Sequence, residues 1–277
     1  MKPEIDIILT TYNGERFLNQ QLDSILNQSS KGWKLVIRDD NSTDNTKTII
    51  KNYAGKYPDK IKLIEDNKGN LGLVRNFETL LKSSQSEYIM FCDQDDVWLP
   101  YKIELTFNAM QSAKNQYSDS PILIYTDLKI VDEELKTIAD SFWKFHKISP
   151  QIDGQLNKII YRNIVTGCTI MINKKLKDIS MPFPPEVRLH DWWLAINAAK
   201  NGKLKFVPQQ TILYRQHSKN VIGGKKHRNL LSVFSSKTMT GFKNLLNDYK
   251  MAKKICPSAN LFKLILNNIR WAVLRRL

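Results

Sequence analysis

Short β-branched runs alternate with longer stretches of helical spacing over the first two hundred residues, and that alternation leaves few architectures open. IDIILT (5–10) reads as a strand, and Glu15 to Gln28 follows with Phe17, Leu18, Leu22, Ile25 and Leu26 at helical intervals. Lys34 to Arg38 reads as a second strand, and Ser42 or Thr43 can cap a helix running to about Tyr57. A third strand (Ile61 to Glu65), a helix (Leu73 to Lys82) and a fourth strand (Tyr88 to Cys92) continue the order. Beyond Pro100 come a helix to about Gln116, strands near Ile122 to Leu128 and Ile164 to Ile172, a helix from His190 to Lys200 and a last strand around Lys205 to Tyr214. The expectation is an α/β fold, a mostly parallel central sheet flanked by helices on both faces. With 277 residues the chain has room for one large domain or a domain with an appendage.

Composition removes several classes. Hydrophobic residues make up 42% and charged residues 25%, proportions of an ordinary folded protein. No apolar run reaches the ~18 to 20 residues that cross a bilayer, and the opening MKPEIDIILTTYN lacks a signal-peptide pattern, so the expected compartment is the cytoplasm. Cys92, Cys168 and Cys256 are widely spaced and form no CxxC pair, which encodes neither a disulfide framework nor a structural zinc site. The formal net charge of +15 is concentrated: residues 215–277 hold 14 of the 42 Lys and Arg and one acid, Asp248. A near-neutral body with a basic tail places a boundary near residue 215.

Ligands of such sheets bind beyond the carboxyl ends of the strands. Strand one ends in Thr10, Thr11, Tyr12 and Asn13, strand two in Asp39, Asp40, Asn41 and Ser42, residues that ordinary turns also use. Strand four is followed by Asp93, Gln94, Asp95 and Asp96. Asp93 and Asp95 lie on one side of an extended chain, roughly 6 to 7 Å apart, where their charges repel. A divalent cation such as Mg²⁺ or Mn²⁺, which prefers carboxylate oxygen, removes the conflict; a solvated acidic turn with Asp96 as a cap is the plainer alternative.

The order TTYN, RDDNSTDNT, a relaxed NxGxxxxRN over Asn70 to Asn76, and DQDDVW resembles glycosyltransferase family 2 of GT-A fold, over about residues 4–217. HDWW at His190 and LYRQHSKNVIG from Leu213 are most similar to the bacterial rhamnosyltransferase-like branch. The resemblance implies a metal-dependent inverting transfer of a sugar from a pyrimidine nucleoside diphosphate, dTDP-rhamnose favoured and a UDP-sugar next. The acceptor would be a glycan, lipid-linked, in bacterial surface polysaccharide synthesis. It implies that Thr10, Tyr12 and Asp40 line the nucleoside pocket, with Arg75 near the nucleotide and Asp93 reaching the ribose or the metal. Asp93, Asp95 and His217 would hold Mn²⁺ or Mg²⁺. Asp191 would be the base that takes the acceptor proton, although an Asp starting a helix is also a common cap. Trp192, Thr166 and Gly167 would line the acceptor side, Arg215 would contact diphosphate or acceptor, and Val221 to Gly224 with Lys225 and Lys226 would form a lid. A surface pairing of Arg75 with Glu78, and core roles for the Trp pair and for Thr166 to Cys168, remain open beside these roles.

The expected division is a GT-A domain over 1–217, with a nucleotide-sugar part to about 100 and an acceptor part over 101–217, then a lid and basic helical region over 218–277. In LFKLILNNIRWAVLRRL, Phe262, Ile265, Leu266, Ile269, Ala272 and Val273 form a stripe flanked by Lys263, Arg270, Arg275 and Arg276. Such a helix suits an anionic membrane surface or packing on its own body. No nucleic-acid motif accompanies the charge, so nucleic acid is not an expected partner. Two rivals stand: an aspartate-dependent phosphotransferase, and a non-catalytic GT-A domain that binds a nucleotide sugar or a partner.

Overall fold

The computed structural model describes residues 5–217 and 237–274. The first half alternates as the sequence predicts, with one short strand, β5, that the sequence reading lacked: β1 (Ile5–Thr11), α1 (Leu18–Leu26), β2 (Trp33–Asp39), α2 (Thr46–Lys56), β3 (Ile61–Leu63), α3 (Leu73–Ser83), β4 (Tyr88–Cys92), β5 (Val97–Trp98) and α4 (Lys102–Gln116). The second half adds β6 (Ile122–Val131), β7 (Thr137–Ala139) and three one-turn helices, α5 (Phe142–Phe145), α6 (Pro150–Asp153) and α7 (Leu156–Ile159). It continues with β8 (Met171–Asn173), α8 (Lys174–Ser180), α9 (His190–Asn201), β9 (Lys203–Arg215), α10 (Lys237–Ile255) and α11 (Leu261–Leu274).

The sheet runs in the order β3-β2-β1-β4-β8-β6-β9-β5, with β7 on the flank of β6. β3, β2, β1 and β4 are parallel, but β8 is antiparallel to both β4 and β6, and β5 is antiparallel to β9. The sheet is therefore mixed, which corrects the expected mostly parallel one. The strand read from Ile164 to Ile172 is also shorter. Gly167–Thr169 forms a 3₁₀ turn in which Thr166 and Gly167 carbonyls accept from Thr169 and Ile170 amides, so ladder pairing starts only at Met171.

β1 is buried along its whole length, as a central strand covered on both faces must be. Its alternating side chains divide the core: Ile7 and Leu9 pack with Leu22 and Ile50 of α1 and α2, whereas Ile8 packs with Phe77 of α3 and Trp193 of α9. Met251, Ala252, Ala259 and Leu264 of the tail join this second cluster. The C-terminal region thus contributes to the body's packing, with α10 against α9 and α11 against α10, while Phe262 and Leu266 of the stripe stay exposed. Among the described residues no helix is long and apolar enough to cross a membrane.

Candidate active site

Three loops at the carboxyl ends of β1, β2 and β4 are stitched into one floor. Gln94 uses both ends of its amide on Tyr12, accepting from its N–H at 2.8 Å and donating to its carbonyl at 3.0 Å. Gly14 is required beside it, since a Cβ there would lie 2.3 Å from Gln94 Oε1. Thr10 is buried, and the Tyr12 ring is 49% exposed, available for stacking. Asp39 does turn chemistry, accepting from the Thr11 and Ser42 hydroxyls and the Ser42 amide. Asp40 accepts from the amides of Leu71 and Gly72 and from Arg38, each at 2.8 Å, which fills three of the ~four acceptor positions of a carboxylate. Arg38 is 1% exposed and also forks onto Asp66 at 2.8 Å. A crevice of about 410 Å³ opens beside this group, lined by Asp39, Asn41, Lys47, Asp66, Asn67 and Gly69 among others.

The acidic run after β4 occupies the centre. Burial in the cleft, then the charges of Asp95 and Asp191, push the Asp93 carboxyl up to about 7. Asp95 Oδ2 lies 2.8 Å from His217 Nε2, which brings β4 and the end of β9 together. Asp96 is fully buried. Its Oδ1 accepts from the Arg215 amide, while Oδ2 has no hydrogen-bond partner and faces a cluster in which ligand atoms of Asp93, Asp96 and Cys168 lie within 4.8 Å of one another. Burial and the neighbouring Asp95 and Asp93 charges raise Asp96 well above the carboxylate range. The carboxylates of Asp93 and Asp96, with an unsatisfied buried oxygen between them, fit a hard divalent cation, whereas the Cys168 thiol is a softer donor; the Asp95–His217 pair is a separate carboxylate–imidazole group.

Asp191 stands in the first turn of α9, 3% exposed, and accepts from its neighbour Trp192 N–H at 2.7 Å and from Asn163 Nδ2 at 3.1 Å. Burial raises it to about 6, against the pull of hydrogen bonds from Trp192, Asn163 and Gly167. Its charge adds a small upward push to the Asp93 carboxyl, after burial and Asp95. His190 before it lies between Phe77 and Phe91, with ring centroids 4.2 and 5.3 Å away, and burial lowers it to about 3.

A family model described as glycosyl transferase family 2 matches residues 6–180, over half of the chain, including the loops after β1, β2 and β4. The chain belongs to glycosyl transferase family 2. It is a glycosyltransferase with a GT-A-like fold. It is 30% identical over 230 residues to the dTDP-rhamnosyl transferase RfbG of Shigella flexneri, covering 78% of this chain and 73% of that protein. It is 28% identical to the UDP-Glc:alpha-D-GlcNAc-diphosphoundecaprenol beta-1,3-glucosyltransferase WfgD of Escherichia coli, over 73% and 72% of the two chains. In fold it is similar to the mannosyltransferase PcManGT of Pyrobaculum calidifontis, solved with GDP-Man and Mn2+ (TM-score 0.61, 15% identity, 99% of this chain and 81% of that one).

Within this glycosyltransferase several side chains stand elsewhere than the motif order implied. Arg75 donates to Glu78, at 2.5 Å, and to the carbonyls of Phe183 and Pro184, so its fork holds the segment before α9. Trp192 is 5% exposed and its indole donates to the Ile159 carbonyl at 2.6 Å: it is core, not a sugar platform. Arg215, 1% exposed, braces the acidic loop through the Asp95 carbonyl, Gln20 and the Glu133 carbonyl. Gly167 lies against His190, where a Cβ would come within 2.8 Å of Nε2, and Thr166 is half-buried beside it. The expected lid, Val221 to Lys226, lies outside the described residues. Arg38, Asp66, Gln94 and Asp96 were not singled out as site residues, although an Arg inside the apolar strand KLVIRD was itself a signal that a buried charge needed partners.

Proposed function

We propose that this glycosyltransferase moves a sugar from a pyrimidine nucleoside diphosphate to a glycan acceptor in one inverting displacement, as the rhamnosyltransferase-like branch would. The single observation that supports the reading is the Asp95–His217 contact beside the Asp93, Asp96 and Cys168 cluster. Tyr12, Thr10 and the remaining acceptor position of Asp40 receive the nucleoside. Asp93, Asp95 and His217 would hold Mn²⁺ or Mg²⁺, which would supply positive charge to the diphosphate leaving group. Asp191 takes the acceptor proton, and its raised, near-neutral carboxyl suits that task. Thr166 and Gly167 line the acceptor side.

The donor follows from the similarity to a dTDP-rhamnosyl transferase, and a lipid-linked acceptor from the similarity to an enzyme named for a diphosphoundecaprenol substrate. We place the protein in the cytoplasm at the inner face of the membrane, with 1–217 as the catalytic part and 218–277 as lid and basic helical region. The outward face of α11 supports this, since Phe262 and Leu266 are 66% and 48% exposed beside exposed Lys263.

Calorimetric titration with dTDP, UDP, GDP and CDP, with and without Mn²⁺, tests the reading. Tight binding of dTDP or UDP only in the presence of the cation is expected. No binding of any of the four to folded protein would overturn it.

A further inference from the structure

The tail carries one acid, and the structure uses it. Asp248 sits mid-way along α10, and both its oxygens lie 2.9 Å from one guanidinium nitrogen of Arg188, two residues before α9. We infer that the Arg188–Asp248 pair is a positioning device that fixes the first turn of the catalytic helix, and so Asp191, from the C-terminal helices. The inference rests on the reading of Asp191 as the base.

Three observations carry it. The first is that the N-cap position of α9 is Leu189, which offers no side-chain hydrogen bond, and that the first-turn amide of Trp192 is met by Asp191 itself, so a shift of the entering chain moves the helix start and the Asp191 carboxylate together. The second is that this entering segment has no regular structure and is held from two sides. From the nucleotide half, Arg75 grips the carbonyls of Phe183 and Pro184 while Glu78 accepts from the Phe183 amide at 3.1 Å. From the tail, Asp248 holds Arg188, and Lys254 lies 3.6 Å from Glu186. The third is burial: the Asp248 side chain is only 15% exposed, and dehydration raises its carboxyl against the pull of Arg188. A half-desolvated pair costs more to break than a surface one, so it transmits position and does not merely decorate the surface.

The base must sit at hydrogen-bond distance from the acceptor hydroxyl, about 2.6 to 3.2 Å, and a displaced carboxylate loses turnover while leaving donor binding intact. Asp248 makes no contact with the nucleotide floor, so its loss should separate these two quantities.

The test compares Asp248→Asn, Arg188→Lys and the charge-exchanged pair Arg188→Asp/Asp248→Arg in the full chain. Three readouts are taken: dTDP and UDP binding with Mn²⁺, the pH profile of diphosphate release from dTDP-rhamnose or UDP-glucose, and hydrogen exchange over residues 186–193. Expected for Asp248→Asn are about a ten-fold lower kcat, a donor KM and diphosphate affinity within about two-fold, a displaced acidic limb of the profile and faster exchange confined to 186–193. The charge-exchanged pair should recover most of the lost turnover. An unchanged kcat and acidic limb, or a loss that only follows the unfolded fraction, would overturn the inference; Arg188→Lys supplies the same comparison should Asp248→Asn not fold. Asp191→Asn, run alongside, separates the two claims. If it is inactive while Asp248→Asn is normal, only the positioning role falls, and if it keeps full turnover the base reading itself falls.

Discussion

At the level of single residues, the carboxylates divide by environment. Asp191 titrates near 6 because burial disfavours its charged form, and a base works only when ionised. Transfer should therefore rise with pH through about 6, and Asp191→Asn should remove that limb and about 10²-fold or more of kcat with nucleotide binding kept, as read by a pH–rate profile beside calorimetry. The stability contribution runs the other way. The folded value lies above the ordinary 3.8, so this group favours the fold at acid pH and withdraws roughly 3 kcal/mol as pH rises from about 4 through 6. Asp95→Ala should abolish cation-dependent diphosphate binding while the fold survives, because Asp95 contacts His217 at the cleft surface and carries no core packing; retained Mn²⁺ dependence would remove Asp95 from the ligand set. These aspartates were legible in the sequence, since three acids after an apolar strand have few ordinary reasons to be there. The roles of Arg75 and Arg215 were not. A long guanidinium can reach several partners, and motif order says which loop it stands on but not which carbonyls compete for it.

At the level of elements, the parallel half was readable because β-branched runs and helical spacing alternate without interruption from Ile5 to Gln116. The reversed strand β8 was not readable. An apolar run carries no sign of its direction, and the direction here is set by the long excursion through α5, α6 and α7 and by the 3₁₀ turn at Gly167. That turn packs edge-on against α9, which makes Gly167→Ala a sharp probe: the added methyl would meet the His190 ring at 2.8 Å and push on the helix start. A clear loss of kcat with little change in diphosphate affinity is expected, and kinetics with calorimetry on the purified variant would show it. A second element-level device is the loop from Asp66 to Gly72, folded around Arg38 and Asp40. Arg38→Leu would leave the buried Asp40 charge without its cation and held only by the Leu71 and Gly72 amides, at a cost of about 3 to 5 kcal/mol. Thermal unfolding should register a fall of that size, and limited proteolysis should open first between 66 and 72; an unchanged melting temperature would mean that Asp40 does not depend on Arg38.

At the level of the whole molecule, the charge break near residue 215 and the packing boundary do not coincide. The sequence showed where the basic residues begin, but charge reports on the solvent-facing side of a helix and is silent about its inner face. Met251, Ala252, Ala259 and Leu264 complete a core shared with α9, and the tail's one acid turns inward onto Arg188. The described outer face is left to lysines and to Phe262 and Leu266, a surface that anionic headgroups complement in both charge and apolarity. Two outcomes follow from that division. A chain ending at residue 217 should be aggregation-prone and much less stable than the full chain, because stripping α10 and α11 exposes the apolar side of α9. Phe262→Glu with Leu266→Glu, by contrast, should leave the melting temperature within a few degrees, since both side chains already face water. The same double variant should lower binding to phosphatidylglycerol vesicles by about ten-fold in co-sedimentation, and added salt should weaken the wild-type chain's binding as the ~8 Å physiological screening length shortens. Binding that is indifferent to both the substitution and the salt would assign the outer face of α11 to something other than a membrane, while leaving its inner face, and the hold on α9, untouched.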